Sequence, residues 1–294
     1  MMELSKGSTK LTFVRPDVEE PYYRGTRFDR SGIILSLEYG GRKFISQWFR
    51  EYDPYKHDAV GGPAEEFSQI GYDNVAPGEG FLKTGVGLLE RDGNEYDRFH
   101  LYNVIDEGKR EFSSASDNAV FTHSIDTGRY GYRYMKKISI PEDGILKIEH
   151  SLLNTGSEPM GLYVYNHNFF VLDGAATGKD TVLTLPFRPE GHWRENYDCV
   201  ALTENGVRFS RDLRQDEKVF MGDLKGPQPL ENYSFRLENI ANGLSVEALS
   251  DATMEYAVFW SNHEVSCLEP YTRLLILPGQ MKEWRIRYRF GISE

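Results

Sequence analysis

Hydrophobic and polar residues alternate with a period of two along much of the chain. The alternation is cleanest near the C-terminus, where apolar residues occupy positions 284, 286, 288 and 290 and arginines occupy 285, 287 and 289. Successive side chains of a β-strand point to opposite faces, so this pattern predicts a strand with one buried face. No segment keeps a helical period over a dozen residues, and glycine- and proline-rich turns separate the apolar runs. We therefore predict an all-β protein with a single domain, residues 1–294.

The stretch Leu162–Leu172 combines aromatic and β-branched residues without glycine or proline, which predicts a strand. Its period places Tyr163, Tyr165 and His167 on one face. An imidazole among aromatic rings suits the floor of a sugar site, because rings stack on the C–H faces of a pyranose while the imidazole handles a proton. A core histidine that hydrogen-bonds to a neighbour is the commoner role of a lone histidine in a strand.

Composition and charge make some classes of binding partner unfavourable. The chain has 34 Lys and Arg against 45 Asp and Glu, so its net charge of -11 gives no electrostatic reason to bind nucleic acid or an anionic membrane. Two cysteines, Cys199 and Cys267, make no disulfide framework, although one bridge between them stays open, and no signal peptide or membrane-spanning run is predicted. We expect a cytoplasmic monomer or homodimer.

Aromatic residues make up 13 % of the chain, a share typical both of all-β proteins and of carbohydrate sites. Composition alone does not separate these two causes.

Two further segments bear on function. The stretch 50–82 is punctuated by glycine and proline and reads as a long loop, which is usually functional; within it, Ala64–Phe67 suggests a helical turn. The apolar strand that precedes Glu269 is expected to end at Pro270, because proline has no N–H to donate to a sheet. A carboxylate at a strand end suits a general base, while a solvated glutamate at a turn is the commoner explanation.

Three short motifs together resemble the aldose 1-epimerases, the galactose mutarotase-like proteins. Asn166-His167-Asn168-Phe169-Phe170 resembles their Asn-His-x-Tyr/Phe-Phe motif. Cys267-Leu268-Glu269-Pro270 resembles their late Cys-x-Glu-Pro segment, which is clearest in the hexose-6-phosphate epimerase branch. The strand that begins Pro278-Gly279 and reaches Trp284 resembles the family's ending, and the separation 269 − 167 = 102 agrees with the family. The resemblance implies a β-supersandwich, in which large antiparallel sheets pack face to face and a curved sheet carries a sugar groove.

By this resemblance His167 is the general acid and Glu269 the general base of mutarotation. The base removes the proton of the anomeric hydroxyl while the acid protonates the ring oxygen, so the ring opens and can close on the other face. This chemistry implies no metal and no cofactor. The resemblance also implies an early arginine that holds sugar oxygens, either Arg27 or Arg24; a surface ion pair with Asp29 or Glu20 is the alternative.

The chain departs from the family at the early motifs. Galactose-type members carry a second histidine followed by glycines, and none of His57, His100 or His123 lies in such a motif. Sugar-phosphate members carry a His-Gly-Phe-x-Arg-like segment, which is replaced here by Glu79-Gly80-Phe81-Leu82-Lys83. Lys83 is thus a candidate to hold an anionic group, and Glu79 a candidate hydrogen-bond partner. Further candidates are Tyr165 and Trp260 as stacking rings, if they are not core, and Asp223 for sugar hydroxyls.

The leading hypothesis is an aldose 1-epimerase-like enzyme that acts on a hexose or a modified hexose. A non-catalytic carbohydrate-binding protein on the same fold is the alternative, because the early motifs depart from the family. Glycan cleavage by paired carboxylates ranks last, since only one carboxylate is well placed. The sequence carries no nucleotide-binding, serine-hydrolase or zinc motif and no metal-ligand spacing.

Overall fold

The computed structural model describes residues 1–227 and 230–293, and almost all of its regular structure is β-strand. The strands are β1 (Met2–Lys6), β2 (Thr9–Phe13), β3 (Ile34–Tyr39), β4 (Arg42–Ile45), β5 (Ala64–Phe67), β6 (Gly80–Lys83), β7 (Gly87–Glu90), β8 (Val104–Asp106), β9 (Lys109–Ser114), β10 (Asn118–Asp126), β11 (Gly131–Ser139), β12 (Ile145–Asn154), β13 (Met160–His167), β14 (Thr181–Thr184), β15 (Val200–Thr203), β16 (Gly206–Phe209), β17 (Lys218–Leu224), β18 (Ser234–Asn239), β19 (Leu244–Ser250), β20 (Tyr256–Asn262), β21 (Ser266–Ile276) and β22 (Met281–Ile292). Two single 3₁₀ turns, Tyr72–Asn74 and Leu172–Gly174, are the helical elements within these residues.

The strands form two large and two small sheets, and the neighbours in each sheet pair antiparallel. The ten-stranded sheet has the order β15-β16-β14-β18-β19-β22-β12-β11-β10-β9, and the five-stranded sheet has the order β17-β20-β21-β13-β5. The smaller sheets are β1-β2-β3-β4 and β6-β7-β8. This architecture confirms the prediction of an all-β fold built from large antiparallel sheets.

One continuous core lies between the ten-stranded and five-stranded sheets. Phe67 of β5 packs edge-on against Tyr134 and Trp284, which belong to β11 and β22, with ring centroids 5.1 and 6.2 Å apart. The predicted alternation near the C-terminus is present in β22: residues 284, 286, 288 and 290 are buried, while Arg285 and Arg289 are exposed. The opposite face of the five-stranded sheet is therefore free to carry a site.

The segment Ala64–Phe67 forms strand β5, and the expectation of a helical turn there is wrong. β5 pairs with β13, with Glu66 opposite Tyr165 and Glu65 opposite Asn166. A strand is recognised in a sequence by alternating apolar and polar residues, and the two consecutive glutamates interrupt that alternation. Both carboxylates are buried, one on each face, and each is neutralised by cations.

Two strand ends also differ from the predictions. β13 stops at His167 rather than continuing to Leu172, because the backbone turns there and the Phe169 N–H donates to the His167 carbonyl at 3.1 Å. β21 does not end at Pro270 but continues to Ile276. Its pairing with β13 covers only residues 272–276, so the missing N–H of Pro270 removes no hydrogen bond from that ladder.

Besides β5, five strands lie where the sequence pattern indicated none. They are β1, β9, β15, β16 and β17. Among the residues that the structure describes, no helix is long and apolar enough to cross a membrane.

Candidate active site

A cleft of about 730 Å³ opens on the face of the five-stranded sheet that is turned away from the core. Alternate residues of β17, β20 and β21 form its floor, as expected for the pleat of a sheet. The floor residues from these strands are Lys218, Phe220, Gly222, Tyr256, Val258, Trp260, Glu269 and Tyr271. His167 at the end of β13 completes the floor, and loop residues form the walls.

The register of β13 and β21 brings His167 and Glu269 together. The paired part of the two strands ends at Val164 and Thr272. Continuing the same antiparallel register by three residues places His167 opposite Glu269. Their side chains meet, with His167 Nε2 at 3.1 Å from Glu269 Oε1, and they are 7 and 5 % exposed.

Burial decides how the pair is protonated. Burial raises the pKa of Glu269 to about 8, even though Arg27 and Arg98 favour its carboxylate. Burial also lowers the pKa of His167 well below its ordinary value, and the positive charges of Arg27 and Arg98 add to this effect. At neutral pH the pair therefore holds one proton, which either member can carry across the 3.1 Å contact.

Arg27 lines the cleft beside this pair and is anchored from below. Its Nε donates to Glu66 Oε2 at 2.6 Å, and its Nη2 donates to the Tyr165 hydroxyl at 3.0 Å. Tyr165 in turn donates to Glu66 Oε2 at 2.5 Å. Arg27 is 7 % exposed, so the surface ion pair considered from the sequence is replaced by a buried one. Its remaining N–H groups can serve a bound sugar.

Two more cations surround Glu66. Lys83 Nζ lies 3.6 Å from Glu66 Oε1, and Arg98 Nε lies 3.7 Å from the same oxygen. Arg98 also donates to the Tyr271 hydroxyl at 2.9 Å and lines the cleft. Lys83 is fully buried and donates to Tyr96, so it supports Glu66 and does not itself reach the cleft.

Aromatic rings flank the acid–base pair on both sides. Trp260 meets the His167 ring edge-on at 5.7 Å, and Phe169 stacks on His167 at 3.7 Å. On the other side, Tyr271 stacks on Tyr256 at 4.6 Å. Because Tyr256 and Trp260 are half-buried and line the cleft, their faces can pack against the C–H faces of a sugar ring.

The fold of the chain is similar to that of several solved structures. The chain aligns over 100% of its length with 99% of the GalM/aldose epimerase homologue from C. elegans, at TM-score 0.57 and 13% identity. A galactose mutarotase-like protein from Clostridium acetobutylicum matches 99% of this chain over 95% of its own, at TM-score 0.56 and 12% identity. Another, from Lactobacillus casei, matches 99% of both chains at TM-score 0.54 and 12% identity. The chain has the galactose mutarotase-like fold.

No family model matches the chain, and no curated protein matches it significantly. At 12–13% identity the likeness to solved structures concerns the fold, and one fold supports many activities. The function must therefore be argued from the residues in the cleft.

Five residues proposed from the sequence do not line the cleft. Lys83 and Tyr165 are buried beneath it, and Tyr165 holds Arg27 and Glu66 through its hydroxyl instead of offering a stacking face to the cleft. The other three are Arg24, Glu79 and Asp223.

Arg24 lines a separate surface depression, where it donates to the Tyr55 hydroxyl at 3.2 Å. Glu79 is exposed and accepts a hydrogen bond from the Ala76 N–H at 2.7 Å, so it closes a turn before β6.

Asp223 follows Gly222 on β17, and it is Gly222 that lines the cleft. The register of β17 shifts between Met221 and Leu224, and the Asp223 side chain is half exposed and accepts a hydrogen bond from the His192 N–H at 2.9 Å.

Several cleft residues escaped the sequence analysis. Trp48, His57, Arg98 and Phe99 come from loops, where no period relates residue position to burial. His57 lies in the stretch 50–82 that we predicted to be functional, although it has no surrounding motif. Burial lowers the pKa of His57, so it is neutral at neutral pH.

One group among the described residues brings three possible metal ligands together. Ligand atoms of Asp198, Cys199 and Glu217 lie within 4.8 Å of one another. Arg211 donates to Asp198 at 2.6 Å and to Glu217 at 2.7 Å. The guanidinium already neutralises both carboxylates, so we assign no metal to this group.

Proposed function

We propose that this protein is an aldose 1-epimerase-like enzyme that interconverts the α and β anomers of a hexose or a modified hexose. The observation that carries the proposal is the contact of His167 Nε2 with Glu269 Oε1, 3.1 Å long, on the floor of the cleft. In an aldose the anomeric and ring oxygens are bonded to the same carbon. An acid and a base that serve both oxygens must therefore lie only a few ångströms apart, as this pair does.

In the proposed reaction, Glu269 as carboxylate takes the proton of the anomeric hydroxyl, and His167 as imidazolium gives a proton to the ring oxygen. The bond between the anomeric carbon and the ring oxygen breaks, which leaves the open-chain aldehyde. After rotation about the adjacent carbon–carbon bond, the hydroxyl attacks the other face of the carbonyl and both protons return. Each positioned group contributes about 10²–10⁴-fold to such a step.

The resting protonation is compatible with this cycle. A carboxylic acid beside a neutral imidazole carries the same single proton as a carboxylate beside an imidazolium. Moving the proton from Glu269 to His167 over their 3.1 Å contact therefore produces the reactive form without uptake from solvent. Arg27 and Arg98 favour the carboxylate in this exchange.

Sugar binding is assigned to the groups around the pair. Arg27 and Arg98 donate to sugar oxygens, and Trp260 packs against the apolar face of the ring. We further propose that the whole chain, residues 1–294, acts as one domain, in the cytoplasm, as a monomer or homodimer, and without a metal or cofactor. Neither nucleic acid nor a membrane is a partner in this proposal.

The test is anomer exchange followed by NMR magnetisation transfer for a panel of neutral and anionic aldoses, with and without the protein. Faster exchange for one class, lost in His167→Ala, supports the enzyme and identifies its substrate. If no sugar exchanges faster while calorimetry detects binding that Glu269→Ala leaves intact, the protein is a carbohydrate-binding protein and the proposal is wrong.

A further inference from the structure

Glu65 and Glu66 are consecutive residues on β5 that are buried on opposite faces of the strand. Glu65 is 0% and Glu66 is 2% exposed. The Glu65 side chain points into the core between the two large sheets, where it contacts Lys136 and His150. The Glu66 side chain points towards the cleft. Two buried charges side by side would be costly without partners, so each must be explained by what it contacts.

Glu66 does not line the cleft, but two of its four partners, Arg27 and Arg98, do. Its carboxylate accepts hydrogen bonds from Arg27 at 2.6 Å and from Tyr165 at 2.5 Å, and it lies 3.7 Å from Arg98. Lys83 approaches from the buried side at 3.6 Å. Burial alone would raise the pKa of Glu66, but Arg27, Lys83 and Arg98 outweigh burial and lower it to about 2. Glu66 is therefore a carboxylate at any working pH.

We propose that Glu66 is a positioning residue of the cleft, which fixes the guanidinium groups of Arg27 and Arg98 so that their free N–H groups face a bound sugar. This inference rests on the proposed function, because it assumes that the ligand is a sugar. Long arginine side chains lose rotamer freedom when they bind a ligand. An anchor beneath the cleft restricts the arginine rotamers before the sugar binds. Loss of the anchor should therefore weaken sugar affinity.

The geometry favours anchoring over a purely structural role. A structural ion pair needs one cation, whereas three cations and a tyrosine converge on Glu66. Arg27 binds Glu66 through Nε and the buried Tyr165 hydroxyl through Nη2, which leaves Nη1 on the side of the cleft, 3.5 Å from His57 Nδ1. Arg98 is 38% exposed and would be mobile without its contacts to Glu66 and Tyr271.

The experiment compares Glu66→Gln with Glu65→Gln in the full chain. The two substitutions are chemically identical, neighbouring and equally buried, so both are expected to lower the melting temperature. For Glu66→Gln we expect KM for the substrate aldose to rise roughly tenfold with a smaller change in kcat, since a charge-assisted anchor is lost. Glu65→Gln should leave KM unchanged. An unchanged KM in Glu66→Gln overturns the proposal.

A double-mutant cycle tests whether Glu66 acts through Arg98. Arg98→Gln alone should raise KM severalfold, and it should raise it less when Glu66→Gln is already present. Equal effects in both backgrounds would show that the two residues act independently, against the proposal. Should Glu66→Gln not fold, Tyr165→Phe removes one hydrogen bond to Glu66 without changing charge and should raise KM by a smaller factor.

An arginine NMR signal separates this proposal from the proposed enzyme. The Nε–H of Arg27 is buried against a carboxylate, so its proton should exchange slowly with water and give a resolved ¹⁵N-correlated peak. We expect that peak to vanish in Glu66→Gln and to persist in Glu65→Gln. If the wild-type protein accelerates no anomer exchange, the enzyme proposal fails. The role of Glu66 in positioning the arginines is then tested by this peak and by the calorimetric Kd for the sugar. A peak that persists in Glu66→Gln contradicts the anchor in either case.

Discussion

His167 Nε2 lies 3.1 Å from Glu269 Oε1 although the two residues belong to different strands. The contact follows from the register of β13 and β21, and a shift of that register by one residue would turn one of the two side chains to the core. The pair therefore depends on the sheet and not on a flexible loop. Acid–base catalysis requires such a rigid pair, because displacing a catalytic group by an ångström lowers the reaction rate strongly.

Removing either member of the pair should abolish anomer exchange. We expect His167→Ala and Glu269→Gln each to lower the exchange rate by about 10²–10⁴-fold, the contribution of one positioned acid or base. The rate is measured by NMR magnetisation transfer, and circular dichroism checks that each variant folds. Glu79→Gln is the matched control for Glu269→Gln, because Glu79 is exposed and outside the cleft. Near-normal rates in both cleft variants would refute the assignment.

The pH profile of kcat/KM should fall above a pKa near 8. The active pair holds one proton, and that proton is lost when pH rises through the raised pKa of Glu269, about 8. Because the pKa of His167 lies below its ordinary value, no second group replaces the lost proton. Rates corrected for the uncatalysed reaction should decline about tenfold per pH unit above that point. A profile that climbs steadily from pH 7 to pH 10 would contradict a shared proton.

Trp260 should act as a sugar platform and not only as a core residue. It lines the cleft and is half-buried, so we expect Trp260→Ala to raise KM roughly three- to tenfold, which corresponds to the energy of one aromatic contact. Sugar should also change the tryptophan fluorescence of the wild-type protein. Trp284→Phe is the control, because Trp284 stacks on His150 in the core, 4.7 Å away. If Trp284→Phe removes the fluorescence change and Trp260→Ala does not, the platform is misassigned.

Strand periodicity, a local feature of the sequence, predicted the all-β fold, while the resemblance of short motifs to the aldose 1-epimerases predicted the His167–Glu269 pair. A face of β13 is readable from period two, and Glu269 lies in a distinctive Cys-x-Glu-Pro segment. The contact itself depends on register, which no local pattern contains. The resemblance predicted Arg27 but not its partner Glu66. The segment Ala-Glu-Glu-Phe resembles an exposed helix, and the sequence does not show the ion pairs that bury its glutamates.

The predictions for Glu79 and Asp223 rest on segments that match the family's motifs poorly. Glu79 closes a turn, and Asp223 lies outside the cleft. Loop residues such as Arg98 carry no periodic signal, so only the three-dimensional arrangement reveals them.

The core network around Glu65 should be essential for stability. Lys136 forms an ion pair with Glu65, and His150 Nε2 lies 3.1 Å from its other oxygen, all of them buried. Breaking one partner of such a pair leaves a buried charge, so we expect Lys136→Met to lower the free energy of unfolding by about 3–5 kcal/mol in urea titrations. The double variant Glu65→Gln/Lys136→Met should lose less than the sum of the single losses.

The same network predicts how stability depends on acid. Burial alone would raise the pKa of Glu65, but Lys136 and His150 lower it from its ordinary value of 4.5 to about 2. The folded state therefore protonates Glu65 at a lower pH than the unfolded chain does. The stabilisation is therefore complete above about pH 4.5 and is lost as pH falls towards 2, by roughly 3 kcal/mol in total. In Glu65→Gln, unfolding free energies measured between pH 5 and pH 3 should decline less steeply than in the wild-type protein. Parallel pH slopes for the two proteins would show that Glu65 titrates alike in the folded and unfolded states, against the buried ion pair.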